Sequence, residues 1–217
     1  MRPLLLIVIV SISVFIACKK TPRHATIDES LKAHFNYKVG SYWIYKDSIS
    51  GQEDSFYVTN NVFSSSQVSD EEISDGININ IVQKDIYLNT NDTVSWLLQL
   101  NSNVLSLSWT DPESVDLRGK LMQYSPFVMY PFKITAYGGI NNVSGSVTNI
   151  LSNYSINGNS FYNVAQIHDT LINNVTAYTF SDWFYLSDSI GIVKMRINHP
   201  PDTINRVWEI ERWNIVK

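Results

Sequence analysis

The chain has 217 residues, with 16 Lys and Arg against 20 Asp and Glu, for a net charge of −4. That mild acidity argues against nucleic acid as a partner, while six Trp and twelve Tyr are more than a disordered chain carries, so a packed fold is expected. A single cysteine excludes an intrachain disulfide, a CxxC redox pair and a thiolate zinc cluster.

The first element is an apolar run from Leu4 to Ala17 (LLLIVIVSISVFIA), with Arg2 before it and Cys18, Lys19 and Lys20 after it. A membrane-crossing helix needs about 20 apolar residues. This run is shorter, and its basic start and small final residue are the pattern of a cleaved signal peptide. Phe15-Ile16-Ala17-Cys18 resembles the lipobox of bacterial lipoproteins, with Phe15 where leucine is usual. The resemblance implies that residues 1–17 are removed and that Cys18 becomes the mature N-terminus, carrying acyl chains. Two or more such chains hold a protein firmly on a membrane. The alternatives are an ordinary secretory signal with an incidental cysteine, or an uncleaved anchor helix. Removing 17 of 217 residues leaves 200, enough for one domain, with 15 basic and 20 acidic residues and a net charge of −5.

Residues 18–33 read as the acylated cysteine followed by a polar tether, with only a weak helical turn near Leu31. A single all-β domain is expected over 34–217. Its period is two: Ile77, Ile79 and Ile81 alternate with asparagines, Val94, Trp96, Leu98 and Leu100 form one phase, and Leu105, Leu107 and Trp109 another. That phase puts Trp96 in the core. Further strands are predicted over Tyr42–Ser48, Ser55–Asn61, Phe127–Ala136, Val143–Leu151, Phe161–Ile167, Ala177–Leu186, Gly191–Ile197 and Ile204–Val216. Turns are predicted at Ser50-Gly51, Asp75-Gly76, Gly138-Gly139, Asn157-Gly158 and Pro200-Pro201. Pro126 and Pro131 demote their strand to an edge or a bulged position. The pattern predicts an all-β antiparallel meander forming a curved sheet, half-barrel or sandwich.

Residues suited to chemistry are sparse. His24, His34, His168 and His199 show no HxH or HxxxH spacing, so no metal site is expected from them. Asp70, Glu71, Glu72, Asp75 and Asp85 lack the DxDxDG order of a calcium loop and read as a solvated acidic loop. Glu209 and Glu211 read as the wet face of the last strand. No GxSxG elbow, SxxK pair or phosphate loop occurs, and no catalytic residue or cofactor is assigned. The aromatics are the candidates for ligand contact: Trp43 and Tyr45 share one strand face, as do Trp183 and Tyr185. Core filling is the favoured reading of them, since each ring buries a large area.

The segment Tyr37-Lys38-Val39-Gly40-Ser41-Tyr42-Trp43-Ile44-Tyr45 resembles the V-G-x-x-W-x-Y opening strand of small uncharacterised Gram-negative lipoproteins. Trp183-Phe184-Tyr185 followed by Gly191-Ile192-Val193-Lys194 resembles their closing pattern, and the two cover about a tenth of the chain. Tyr37-Lys38 departs from the Pro-Leu-like pair usual there. The resemblance implies a location more than a chemistry: a lipid-anchored cell-envelope protein of non-catalytic binding or scaffolding type. Its expected partners are the membrane, through Cys18, and an envelope protein, glycan or lipid. Lys19 and Lys20 stand where enteric inner-membrane lipoproteins carry Asp, which points to the outer membrane. The alternatives are a lipid or lipoprotein carrier with an apolar concave sheet face, and an envelope hydrolase. An open apolar cavity would favour the carrier, and convergent carboxylates in a cleft the hydrolase.

Overall fold

The computed structural model describes residues 21–84, 93–102, 104–110, 119–124, 132–135, 141–173, 179–199 and 204–217. Among them lie one helix, α1 (Glu29–Phe35), and the strands β1 (Arg23–Ala25), β2 (Tyr42–Asp47), β3 (Glu53–Ser69), β4 (Glu72–Lys84), β5 (Thr93–Asn101), β6 (Val104–Thr110), β7 (Gly119–Tyr124), β8 (Phe132–Thr135), β9 (Asn141–Ile156), β10 (Asn159–Asn173), β11 (Thr179–Ser187), β12 (Gly191–His199) and β13 (Ile204–Asn214). The strands form one sheet in the order β7-β6-β5-β4-β3-β2-β13-β12-β11-β10-β9-β8. It consists of two antiparallel meanders joined where β2 pairs with β13. The sheet curls into a half-barrel, and β7 comes against β9 and β10. Register shifts in β3, β6, β10, β11 and β13 supply the bulges that bend a long sheet this way.

The alternating phases predict the concave face correctly. Ile77, Ile79, Ile81, Trp96, Leu98, Leu100, Leu105 and Leu107 are all buried, Trp96 with 7% of its surface exposed. The expected Asn157-Gly158 turn closes the β9–β10 hairpin, with both residues at positive φ (50° and 80°). Of the predicted strand over Phe127–Ala136, Phe132–Thr135 forms β8 at one end of the strand order, while residues 126–131 and 136 lie outside the described residues. Gly138-Gly139, Pro200-Pro201, Asp85 and Cys18 lie outside the described residues.

Three expectations need correction. First, the polar tether does not extend to residue 33. β1 pairs in parallel with Glu72–Ser74 of β4, in the space that β5 leaves by ending opposite Gly76. α1 follows, capped by the Asp28 carboxylate, which accepts from Ser30 N–H (2.8 Å) and Leu31 N–H (3.2 Å). Ile27, Leu31 and Phe35 are buried, so the spacing Leu31/Phe35 is a real i, i+4 apolar face too short to stand out in the sequence. Second, Asp75-Gly76 is no turn. The reversal comes earlier, at Asp70-Glu71, and β4 runs through both residues. A Cβ on Gly76 would lie 2.9 Å from Asn101 Oδ1 on β5, so a larger residue there would require that exposed side chain to shift. Third, β7 lies in a stretch (GKLMQY) with too little alternation to be recognised.

Candidate functional site: an apolar cavity in the curled sheet

The two sequence motifs meet. Trp43 and Tyr45, on the concave face of β2, reach the start of β12. Trp43 Nε1–H donates to Ile190 C=O at 2.6 Å and Tyr45 O–H to Ile192 C=O at 2.7 Å. Gly191 lies between those two carbonyls at φ 99°, and a Cβ on it would sit 2.9 Å from the Tyr37 hydroxyl. Gly40, also at φ 99°, turns the chain into β2. The glycines and aromatics of both motifs thus serve one clasp, about 150 residues apart in sequence.

Around this clasp the rings pack edge to face: Phe35 on Tyr37 (6.4 Å between centroids), Tyr37 on Trp43 (5.0 Å) and Tyr45 on Phe56 (5.1 Å), with Phe56 tilted against Trp96 (5.7 Å). They leave an apolar cavity of about 50 Å³, or about 500 Å³ with its open mouth included. Helix α1 supplies Phe35 to one wall, β5 and β6 supply Leu98 and Leu107, and β12 supplies Met195. Apart from the Tyr37 hydroxyl, which is buried without a hydrogen-bond partner, the polar side-chain atoms of the aromatic wall bond within the protein. Trp96 Nε1–H donates to Gln83 Oε1 (2.7 Å), and Gln83 Nε2–H donates to Asp54 Oδ2 (2.6 Å), forming a buried relay. Asp54 also accepts from Ser55 N–H at 2.6 Å. Burial pushes the Tyr37 and Tyr45 hydroxyls well above their ordinary pKa, so both stay neutral. The lining therefore offers carbon surface and no charge.

Trp183 and Tyr185 lie on the opposite face of the sheet from Trp43 and Tyr45, and the four candidates do not form one site. Trp183 stacks on His168 (4.3 Å, 18°), whose Nε2 is 2.9 Å from Ser181 Oγ. Tyr185 stacks on Tyr154 (5.1 Å, 14°) and accepts from Gln166 Nε2–H at 3.1 Å. Lys194 Nζ lies 5.9 Å from the Tyr185 ring centroid and 2.7 Å from Glu209 Oε1. Burial works to lower the Lys194 pKa, but Glu209 prevails and holds it raised.

Among the other titratable groups, Asp75 is buried and paired with His24 at 2.8 Å; that hydrogen bond and one from Ser65 hold its carboxyl below the usual range. Asp70, Glu71 and Glu72 are exposed, as a solvated loop should be. Among the described residues no three His, Cys, Asp or Glu converge as metal ligands. Sequence reasoning missed one group. Asp169 and Asp182 are cross-strand neighbours, both buried, in the apolar phases of Ile167 and Phe184. Neither Asp169 oxygen has a hydrogen-bond partner, and burial, then the Asp182 charge, pushes its pKa up to about 8. An acid in an apolar strand phase was the available signal. The pair does not line the cavity.

No protein-family model and no curated protein matches the chain. Among solved structures it is similar to a protein of Bacteroides fragilis NCTC 9343 described as exported, with a YmcC-like fold (TM-score 0.46, 11% identity, covering 83% of this chain and 98% of that one). It is also similar to a protein of Parabacteroides distasonis ATCC 8503 described as a lipoprotein (TM-score 0.38, 12% identity, covering 83% of this chain and 97% of that one).

Proposed function

We propose that this chain is a lipid-anchored envelope protein, held on the outer membrane by acyl chains on Cys18, that binds an apolar group without transforming it. The observation that carries the reading is the partly open apolar cavity between α1 and the concave sheet face. A scaffold has no use for such a void, since filling it would add stability. Its size suits a short hydrocarbon segment or one apolar side chain; Trp43, Tyr45 and Trp96 spend their donors within the protein, and the Tyr37 hydroxyl is the one polar wall group left without a partner, so the ligand part it takes is mainly carbon. The lipobox-like FIAC supports the anchor. Asp169 and Asp182 match the convergent acids of a hydrolase, but they lie outside the cavity.

Trp43 and Trp96 line the void, so their fluorescence reports occupancy. Decanoate should change the emission saturably. Leu107→Phe, which projects into the cavity, should weaken binding roughly tenfold at an overpacking cost of about 1–3 kcal/mol. No saturable response in the unsubstituted protein would refute the ligand reading. The anchor is checked separately: Cys18→Ser should lose acylation by mass spectrometry and leave the membrane fraction.

A further inference from the structure

The cavity wall holds one polar group that the fold itself does not use. Tyr37 lines the cavity with 2% of its surface exposed, and its hydroxyl has no hydrogen-bond partner. The other donors of the aromatic wall are spent, Trp43 and Tyr45 on the Ile190 and Ile192 carbonyls and Trp96 on Gln83. The Tyr37 ring is also held in place. Phe35 and Trp43 meet it edge to face, and the Lys217 ammonium lies 4.5 Å from its centroid. The hydroxyl rests against Gly191, another wall residue. A buried hydroxyl left unpaired costs stability, and phenylalanine would fill the same space without that cost.

Building on the reading of the cavity as an apolar binding site, we propose that this hydroxyl serves the ligand: it donates to the carbonyl oxygen of an uncharged acyl ester whose hydrocarbon chain fills the void. The phenol supplies one O–H, and an oxygen acceptor is what an otherwise hydrocarbon ligand can bring to it. That acceptor is neutral. Burial, then the fields of Tyr45 and Asp188, keep the hydroxyl from ionising, and the same surroundings penalise a carboxylate placed beside it. An amide or an alcohol would carry a further N–H or O–H into an apolar lining, whereas an ester brings acceptors only. Reaching the hydroxyl takes a small widening of the cavity, and among the wall residues Met195, unbranched, gives most readily.

The test uses the full-length protein in nanodiscs of an ether-linked phospholipid, which contributes no ester and takes up each probe equally for every variant. Tryptophan fluorescence is titrated with methyl hexanoate, with hexanoate and with n-heptane supplied as vapour. Tyr37→Phe should weaken methyl hexanoate about threefold to tenfold, the value of one hydrogen bond, and leave heptane unchanged, with a urea midpoint no lower than that of the unsubstituted protein. The carbonyl stretch of the ester, isotopically labelled at its carbonyl carbon, should fall in frequency on binding and stay unshifted in Tyr37→Phe. Saturable binding of both uncharged probes with an equal effect of Tyr37→Phe on each would overturn the ester assignment and leave the apolar cavity standing. Hexanoate binding more tightly than its methyl ester would overturn the neutral acceptor. Saturable binding of none of the three would overturn the cavity reading and this one with it.

Discussion

Asp169 is the residue least suited to its surroundings. Its carboxyl is 4% exposed, beside Asp182, with no donor to either oxygen. Its ordinary pKa, about 3.9, is pushed up to about 8 by burial and then by the neighbouring charge. The folded chain therefore keeps a proton that the unfolded chain releases between about pH 4 and pH 8. Across that window stability falls as pH rises. The contribution is full below about pH 4 and lost above about pH 8. Chemical denaturation at pH 6 and pH 9 should show a loss of ~2–3 kcal/mol at the higher pH, and Asp169→Asn should remove most of that slope. An unchanged slope in Asp169→Asn would assign the dependence to other groups. Trp96 is the contrasting case. Its phase in β5 announced its burial, but not the Gln83–Asp54 relay that satisfies its N–H, because those partners come from β4 and β3.

Among the elements, α1 and β1 change the boundary of the folded unit. Ile27 and Leu31 are buried to 1% or less, so a chain begun at His34 exposes the core they cover. At about 1.5–3 kcal/mol for each fully buried aliphatic side chain, that truncation should cost ~3–6 kcal/mol relative to a chain begun at Thr21. Urea titration of the two soluble chains measures the difference, and equal midpoints would mean that α1 adds nothing to the core. The strands that the sequence made legible are those with one buried and one wet face, such as Ile77, Ile79 and Ile81 in β4. The second half of β3 was not legible, because both its faces are exposed and no alternation is selected there. α1 was hidden by its length of 7 residues. Half of the candidate site could be named beforehand, since Trp43 and Tyr45 announced a shared face. The ligand-facing role of Phe35 and Leu107 could not, because the cavity exists only once α1 is laid across the sheet.

For the whole molecule, the decisive contact is the pairing of the second strand with the last, Trp43 opposite Trp213 and Tyr45 opposite Ile210. Nothing local signals it, and alternation is equally compatible with a simple meander, so the topology had to be seen. The C-terminal segment is fixed beside the start of β2, with Lys38 N–H donating to Val216 C=O at 2.9 Å and Val216 N–H to Ser41 Oγ at 2.9 Å. The two free ends of the strand order, β7 and β8, are meanwhile consecutive in the chain. The fold is therefore a cyclic order of strands that biology happens to have opened in the middle of the sheet. A circular permutant, with Lys217 linked to Thr21 by a flexible Gly/Ser segment and new termini within residues 125–131, would read β8 to β13, then β1 and α1, then β2 to β7. Along the main path its strand order in space would equal its order in sequence, and the extensive β2–β13 closure would become local, while the smaller contacts of β7 with β9 and β10 would become the long-range ones. Refolding followed by stopped-flow fluorescence should then accelerate by roughly tenfold or more, while the clasp of Trp43 and Tyr45 on β12, now built from neighbouring segments, is retained.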